Sequence, residues 1–225
     1  MEFTVQKKDD HFQFRIQQVP EKYHPSLKES YYQQEGDTFF KSYSATIPHI
    51  QTIGENFIKN GQSMLDQLAG LAPVPWEDAL SFFAERMKDT GVEWLLVGSL
   101  NLLVRGIEVT PRDVDVICYL KDMEKVQSLF GDVVMEPLQG CDNWVAKAYG
   151  ALFHKALISI AFDTLDCLDQ TEPTDAGPYA MAHAETVIWK GYSLRVPPLE
   201  LSVNINRRRG RLDRVKLIED YLKKA

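Results

Sequence analysis

The residues best placed to do chemistry lie in one short stretch, WLLVGSLNLLVRGIEVTPRDVDVICYL, residues 94 to 120. Its centre is Asp113-Val114-Asp115. The hydrophobic residues around that triplet predict a strand, and on a strand alternate side chains share a face. Asp113 and Asp115 then point the same way, roughly 6.5–7 Å apart along the backbone. Val114 and Val116 point oppositely, into a core. Two carboxylates on one face repel unless something positive sits between them. Mg²⁺ (or Mn²⁺) suits the position, since it takes oxygen ligands from one or two carboxylates and completes its shell with water and substrate phosphates.

Upstream, Gly98-Ser99 follows an apolar run and precedes a helical one. A strand that ends in glycine and turns into a helix presents free backbone N–H groups, a ready site for phosphate. The loop is neither GxxxxGK[ST] nor GxGxxG. A third carboxylate would complete a two-metal site. In KALISIAFD, alternation puts Leu157, Ser159, Ala161 and Asp163 on one face, so Asp163 is the candidate, ahead of Asp166 and Glu136. Positive charge comes from Arg112, beside the first aspartate, and from the cluster Arg207, Arg208, Arg209, Arg211 and Arg214. Of these, Arg112, Arg207 and Arg211 are the candidate nucleotide contacts, with Gly98 and Ser99. Plainer readings stand beside each of these: aspartates guarding a sheet edge, an aspartate opening a turn, arginines complementing a helix end.

The elements that must hold these residues follow from periodicity. Phe3 and Val5, then Phe12, Phe14 and Ile16, flank a charged turn and predict a β-hairpin. Residues 25 to 44 have no clean period and are expected to be partly helical. Ile50, Ile53, Phe57, Met64 and Leu68 predict an amphipathic helix within 47 to 70. LAPVPW marks a boundary near residue 75, dividing an N-terminal hairpin and helical extension (1–75) from the domain at 76–225. Beyond it come a helix, the strand–glycine–helix unit, the DVDVICY strand, a helix from Asp122 to Phe130, and three strands in VVMEP, NWVAKAYG and KALISIAFD. A short strand at SLRVP and two helices close the chain. Helices and strands mix without strict alternation, so the expected class is α+β, a mixed sheet flanked by helices.

Composition narrows the function. The chain has 225 residues and a formal net charge of -7. An acidic chain is not a general polyanion binder, although a local basic site is allowed. No apolar run approaches the roughly 18 residues that span a bilayer, so no membrane role is expected. The N-terminus shows no secretory pattern, and Cys118, Cys141 and Cys167 form no paired motif, which suits reduced thiols in a cytoplasm. The five histidines form no ligand pair.

The stretch Val97-Gly98-Ser99, thirteen intervening residues, Asp113-Val114-Asp115-Val116 and then Asp163 resembles the DNA polymerase β-like nucleotidyltransferase superfamily. Its pattern is a hydrophobic residue with Gly-[Gly/Ser], then D-h-[DE]-h, then a later acidic residue on another strand. The closing segment VPPLELSVNINRRRGRLDRVKLIEDYL resembles the last helices of small bacterial nucleotidyltransferases and AbiEii-like toxins, through Leu199-Glu200-Leu201 and Gly210-Arg211. Where those carry a lysine, this chain has Asn206 beside three arginines. The resemblance covers residues 76 to 225 and implies a nucleotidyltransferase fold. It also implies transfer of a nucleoside monophosphate from a nucleoside triphosphate, ATP among the candidates, with pyrophosphate released. Asp113, Asp115 and Asp163 would hold two Mg²⁺. Family acceptors include aminoglycosides, lincosamides, tRNA ends and protein side chains, and the sequence selects none of them. A second reading is a non-catalytic nucleotide-binding or toxin–antitoxin module, whose N-terminal third docks a protein partner.

Overall fold

The computed structural model describes residues 1–142 and 144–224. At the N-terminus, β1 (Glu2–Lys8) and β2 (His11–Gln17) form the expected hairpin, with Val5 opposite Phe14. The next segment is partly helical, as expected, in α1 (His24–Glu29), but β3 (Gln33–Glu35) and β4 (Thr38–Ser44), which its lack of period did not announce, then join the hairpin in a four-stranded sheet ordered β1-β2-β4-β3. The aromatic run of β4 explains this, since Phe39 and Tyr43 are both buried and aromatic residues favour the half-buried pleated surface. Helix α2 (Ile50–Leu68) packs on that sheet through Ile53, Phe57, Met64 and Leu65. Gly61 permits the contact: a Cβ there would lie 2.3 Å from the Phe3 ring.

Pro75 stands at the N-cap of α3 (Trp76–Met87). Then follow β5 (Trp94–Val97), α4 (Gly98–Leu103), β6 (Val114–Cys118), α5 (Met123–Phe130), β7 (Val134–Gly140), β8 (Ala146–His154) and β9 (Ala156–Thr164). These strands form one mixed sheet ordered β5-β6-β9-β8-β7, in which only the β6–β9 pair is parallel. The architecture is therefore α+β, a mixed sheet flanked by helices. After α6 (Pro178–Ala182), a separate two-stranded hairpin pairs β10 (Glu185–Trp189) with β11 (Tyr192–Val196) across Lys190-Gly191, both at positive φ. Helices α7 (Leu199–Arg208) and α8 (Leu212–Leu222) end the described chain. Among the described residues, no helix is long and apolar enough to cross a membrane.

One buried cluster runs from Phe14 and Phe57 through Phe83 to Ile158 and Phe162, so the core passes residue 75 without a break. Polar contacts follow it across. Asn56 of α2 donates to the carbonyls of Asp132 and Val134, and Gln67 donates to that of Lys155 at 2.7 Å. Lys41 of β4 reaches both oxygens of Glu136 on β7 at 2.7 Å. The N-terminal sheet thus lies fixed beside the sheet that carries the aspartates.

Candidate functional site

The site begins where β5 ends. Val97 pairs with Asp115 across the antiparallel β5–β6 ladder, so the next residue, Gly98, sits against the Asp115 carboxylate. Gly98 has φ +65°, and a Cβ there would lie 2.7 Å from Asp115 Oδ2. Conformation and space both demand glycine. Ser99, in the first turn of α4, accepts a hydrogen bond at 3.0 Å from Arg214 of α8, which also donates to the Thr110 carbonyl.

Asp113 and Asp115 face one cleft, as the alternation requires. Asp113 Oδ2 accepts the Ser159 hydroxyl at 3.1 Å, and Ser159 Oγ lies 3.2 Å from the Tyr149 hydroxyl. Asp115 accepts no hydrogen bond from any described side chain. Burial raises the pKa of Asp113, opposed by the Ser159 hydrogen bond and by Arg112. Burial raises Asp115 further, and repulsion from Asp113 and Asp175 adds to it, while Arg209 and Arg211 oppose it. The pair is short of positive charge, the condition in which a cation binds best.

The arginines gather on the Ser99 side. Burial and then the neighbouring Arg209, Arg214 and Arg112 lower the Arg211 pKa, with Glu29 opposing the fall, so these guanidinium groups lie near one another. Glu29 pairs with Arg112 at 2.7 Å. Such a cluster is a natural partner for a polyphosphate. Arg207, expected here, instead leaves α7 toward Glu219 at 3.3 Å. Arg208 donates to the carbonyls of Leu168 and Glu172. Arg214, by contrast, turns inward to Ser99, and Arg209 lies near Asp115.

Asp163 does not join the aspartates. In the parallel β6–β9 register Asp115 lies opposite Ser159, and Asp163 is four residues further on, displaced by about 13 Å. There it accepts the Leu120 N–H and pairs with Lys147, both at 3.1 Å. Alternation gave its face correctly, and the register put it at the wrong end. Ser159 occupies the place a third carboxylate would take. Asp166 sits in a later 3₁₀ turn, and Glu136 lies in the row Asp115–Ser159–Ala151–Glu136, three strands away and paired with Lys41. Among the described residues, no three His, Cys, Asp or Glu converge as a metal-binding group.

Sequence reading missed Asp175. It is buried behind the cleft and accepts the Ser202 hydroxyl at 3.0 Å, and Asn101 of α4 donates to Ser202. This network ties α4 to α7 beneath Gly98-Ser99. A lone aspartate in a loop carries no local signal. Burial pushes the Asp175 pKa up to about 6, with Ser202 and Arg209 opposing the rise. A carboxyl whose folded pKa is raised stabilises the protein below its unfolded pKa and loses that contribution as pH rises through the folded one. Asp175→Asn should therefore match wild type near pH 4. It should gain up to about 3 kcal/mol over it by pH 7, the advantage growing between about pH 4 and 6. Thermal melts of both proteins across that range check this.

On the other side of the aspartates a cavity of about 630 Å³ opens between the two sheets. Asp113, Asp115 and Ser159 form one wall, and the N-terminal sheet, with Tyr32, Lys41 and Tyr43, forms the other.

No family model matches the sequence, and no curated protein does. Among solved structures, the chain is similar to a protein from Thermotoga maritima provisionally assigned as a nucleotidyltransferase. The two share 19% identity over 65% of this chain and 92% of that one, with a TM-score of 0.49. It is also similar to an antigenic nucleotidyltransferase-like protein from Paracoccidioides brasiliensis, at 13% identity over 65% of this chain and 78% of that one, with a TM-score of 0.43.

Proposed function

We propose that this chain binds a nucleoside triphosphate with a divalent cation and transfers the nucleoside monophosphate to an acceptor hydroxyl. The observation that carries the reading is the juxtaposition of Asp113 and Asp115 with Gly98-Ser99 and the arginine cluster. An unpaired carboxylate stands against the glycine turn, and guanidinium groups gather just beyond it.

The residues fit one Mg²⁺ or Mn²⁺ held by Asp113 and Asp115 and completed by water and phosphate oxygens. They do not fit two metals on three carboxylates, because Ser159 stands where the third would be. When bound, the cation would supply charge neutralisation at the reacting phosphate. The chain's own groups do the rest. Ser99 and Arg214, with Arg209, Arg211 and Arg112, hold the β- and γ-phosphates. Asp113 and Asp115 would hold the cation over the cleft, where it would neutralise the α-phosphate. The acceptor oxygen attacks the α-phosphorus, the α–β bridging bond breaks, and its electron pair leaves with pyrophosphate. The hydroxyl proton passes to a cleft carboxylate or to water. Positioning and charge do most of the work.

Ser159 at the third position also favours a second reading, a nucleotide-binding module without turnover. Labelled-nucleotide binding and pyrophosphate release, each with and without Mg²⁺, separate the two. The transferase reading expects Mg²⁺-dependent binding and release. Binding without release under any acceptor supports the module, and absence of binding for all four nucleoside triphosphates ends both. Asp163→Asn should leave nucleotide affinity within about twofold of wild type, since Asp163 pairs at the far end of β9. A loss above tenfold in that binding measurement would return Asp163 to the site.

A further inference from the structure

We propose that the base of the bound nucleotide stacks on Tyr31, in a subsite that the N-terminal region adds to the nucleotide site. The inference rests on the nucleotide-binding reading and deepens it. A triphosphate with its outer phosphates at Ser99 and the arginines has its α-phosphate beside the aspartates, so its sugar and base continue past them. Among the described residues, neither Ser99 nor any arginine lines the 630 Å³ cavity, and Asp113, Asp115 and Ser159 form one of its walls. The nucleoside therefore enters the cavity, whose other wall comes from residues 29 to 33 and from β4.

Tyr31 lines the cavity and still exposes 72% of its surface. It is the residue on which α1 closes. The Tyr31 N–H donates to the Lys28 carbonyl at 3.1 Å, and the Tyr32 N–H to that of Leu27 at 3.0 Å. This closure puts Tyr31 at φ +61°, a position that glycine fills freely and a bulky residue seldom occupies. A large ring on a strained backbone, with most of its surface in water, is unused by the fold and available to a ligand. Its neighbours fix where it stands. Glu29, two residues earlier, pairs at 2.7 Å with Arg112, the residue before Asp113. Tyr32, the next residue, is buried, with its ring beneath the Lys41 ammonium at 4.8 Å. Tyr31 is thereby held beside both the arginine cluster and the cavity. The lining suits a base better than another phosphate. Lys41 is its one cation among the described residues, and both Glu136 oxygens already hold it. Gln33 and Gln139 bring amides that can donate and accept at a base edge, and Trp144 adds a second ring. Stacking on such rings tolerates any base, because every base has a π-face.

Calorimetric titration of the full chain with α,β-methylene ATP and with inorganic tripolyphosphate, each with Mg²⁺, tests this on wild type, Tyr31→Gly and Tyr31→Phe. Tyr31→Gly removes the ring and suits the left-handed backbone, so it should melt no lower than wild type. It is expected to bind the analogue about tenfold more weakly, and tripolyphosphate within about twofold of wild type. Tyr31→Phe keeps the ring and should hold the analogue within about threefold of wild type. Unchanged analogue affinity in Tyr31→Gly overturns the proposal. So does an equal loss for tripolyphosphate, or a Tyr31→Phe protein as weak as Tyr31→Gly. Wild type that binds the analogue no more tightly than tripolyphosphate defeats the stacking subsite alone. Wild type that binds neither defeats the nucleotide reading, and this inference with it.

Discussion

Asp115→Asn is expected to lower nucleotide turnover by about 10³-fold or more while making the metal-free protein harder to unfold at pH 8. The two effects share one cause. Asp115 carries a charge that burial and its neighbours Asp113 and Asp175 all disfavour, so the ionised group costs stability whenever no cation is present. Its folded pKa is raised, so the cost is absent in acid and grows as pH rises toward neutrality. The amide removes that cost and with it the reason for a cation to bind. Melting temperatures without metal and pyrophosphate release with Mg²⁺ check both halves. A variant that melts lower than wild type at pH 8 would show that the carboxylate is satisfied by the protein itself. Asp113→Asn should lose turnover too, with a smaller gain in stability, since Ser159 already supports its charge.

The parts legible in the sequence are those set by local periodicity. Alternation put Asp113 and Asp115 on one face, and the apolar run broken by Gly98-Ser99 announced the strand–turn–helix that meets them. What escaped depends on which strand lies beside which, and in what register. Asp163 and Ser159 share a face, and only the pairing of Asp115 with Ser159 decides which one reaches the cleft. The arginine cluster was visible as composition. Its division between Arg214, turned inward to Ser99, and Arg207, turned outward to Glu219, follows from the turn at Gly210 between α7 and α8. Asp175 reaches the site through a contact with Ser202, 27 residues away in sequence. The cavity is remoter still: Tyr32 and Lys41 meet Asp113 and Glu136 only because two sheets are packed together. That packing also explains why a boundary at residue 75, plausible from its prolines, divides no core.

Lys41→Met should destabilise the protein by about 3–5 kcal/mol, a fall of roughly 10 °C in melting temperature for a chain of this size. Lys41 and Glu136 side chains are 17% and 9% exposed, and the ammonium meets both carboxylate oxygens. Removing the lysine strands a carboxylate between the sheets, and the cost of an unpaired buried charge exceeds what the pair itself contributes. The double variant Lys41→Met with Glu136→Met is therefore expected to recover most of the loss, because neither charge then needs a partner. Denaturant unfolding of the wild type, the single variant and the double variant decides it. A double variant as unstable as the single one would mean that the pair fixes the approach of the two sheets through its geometry. If it recovers, the sheets stay together without the charged pair, through the shared core and the hydrogen bonds of Asn56 and Gln67 from α2.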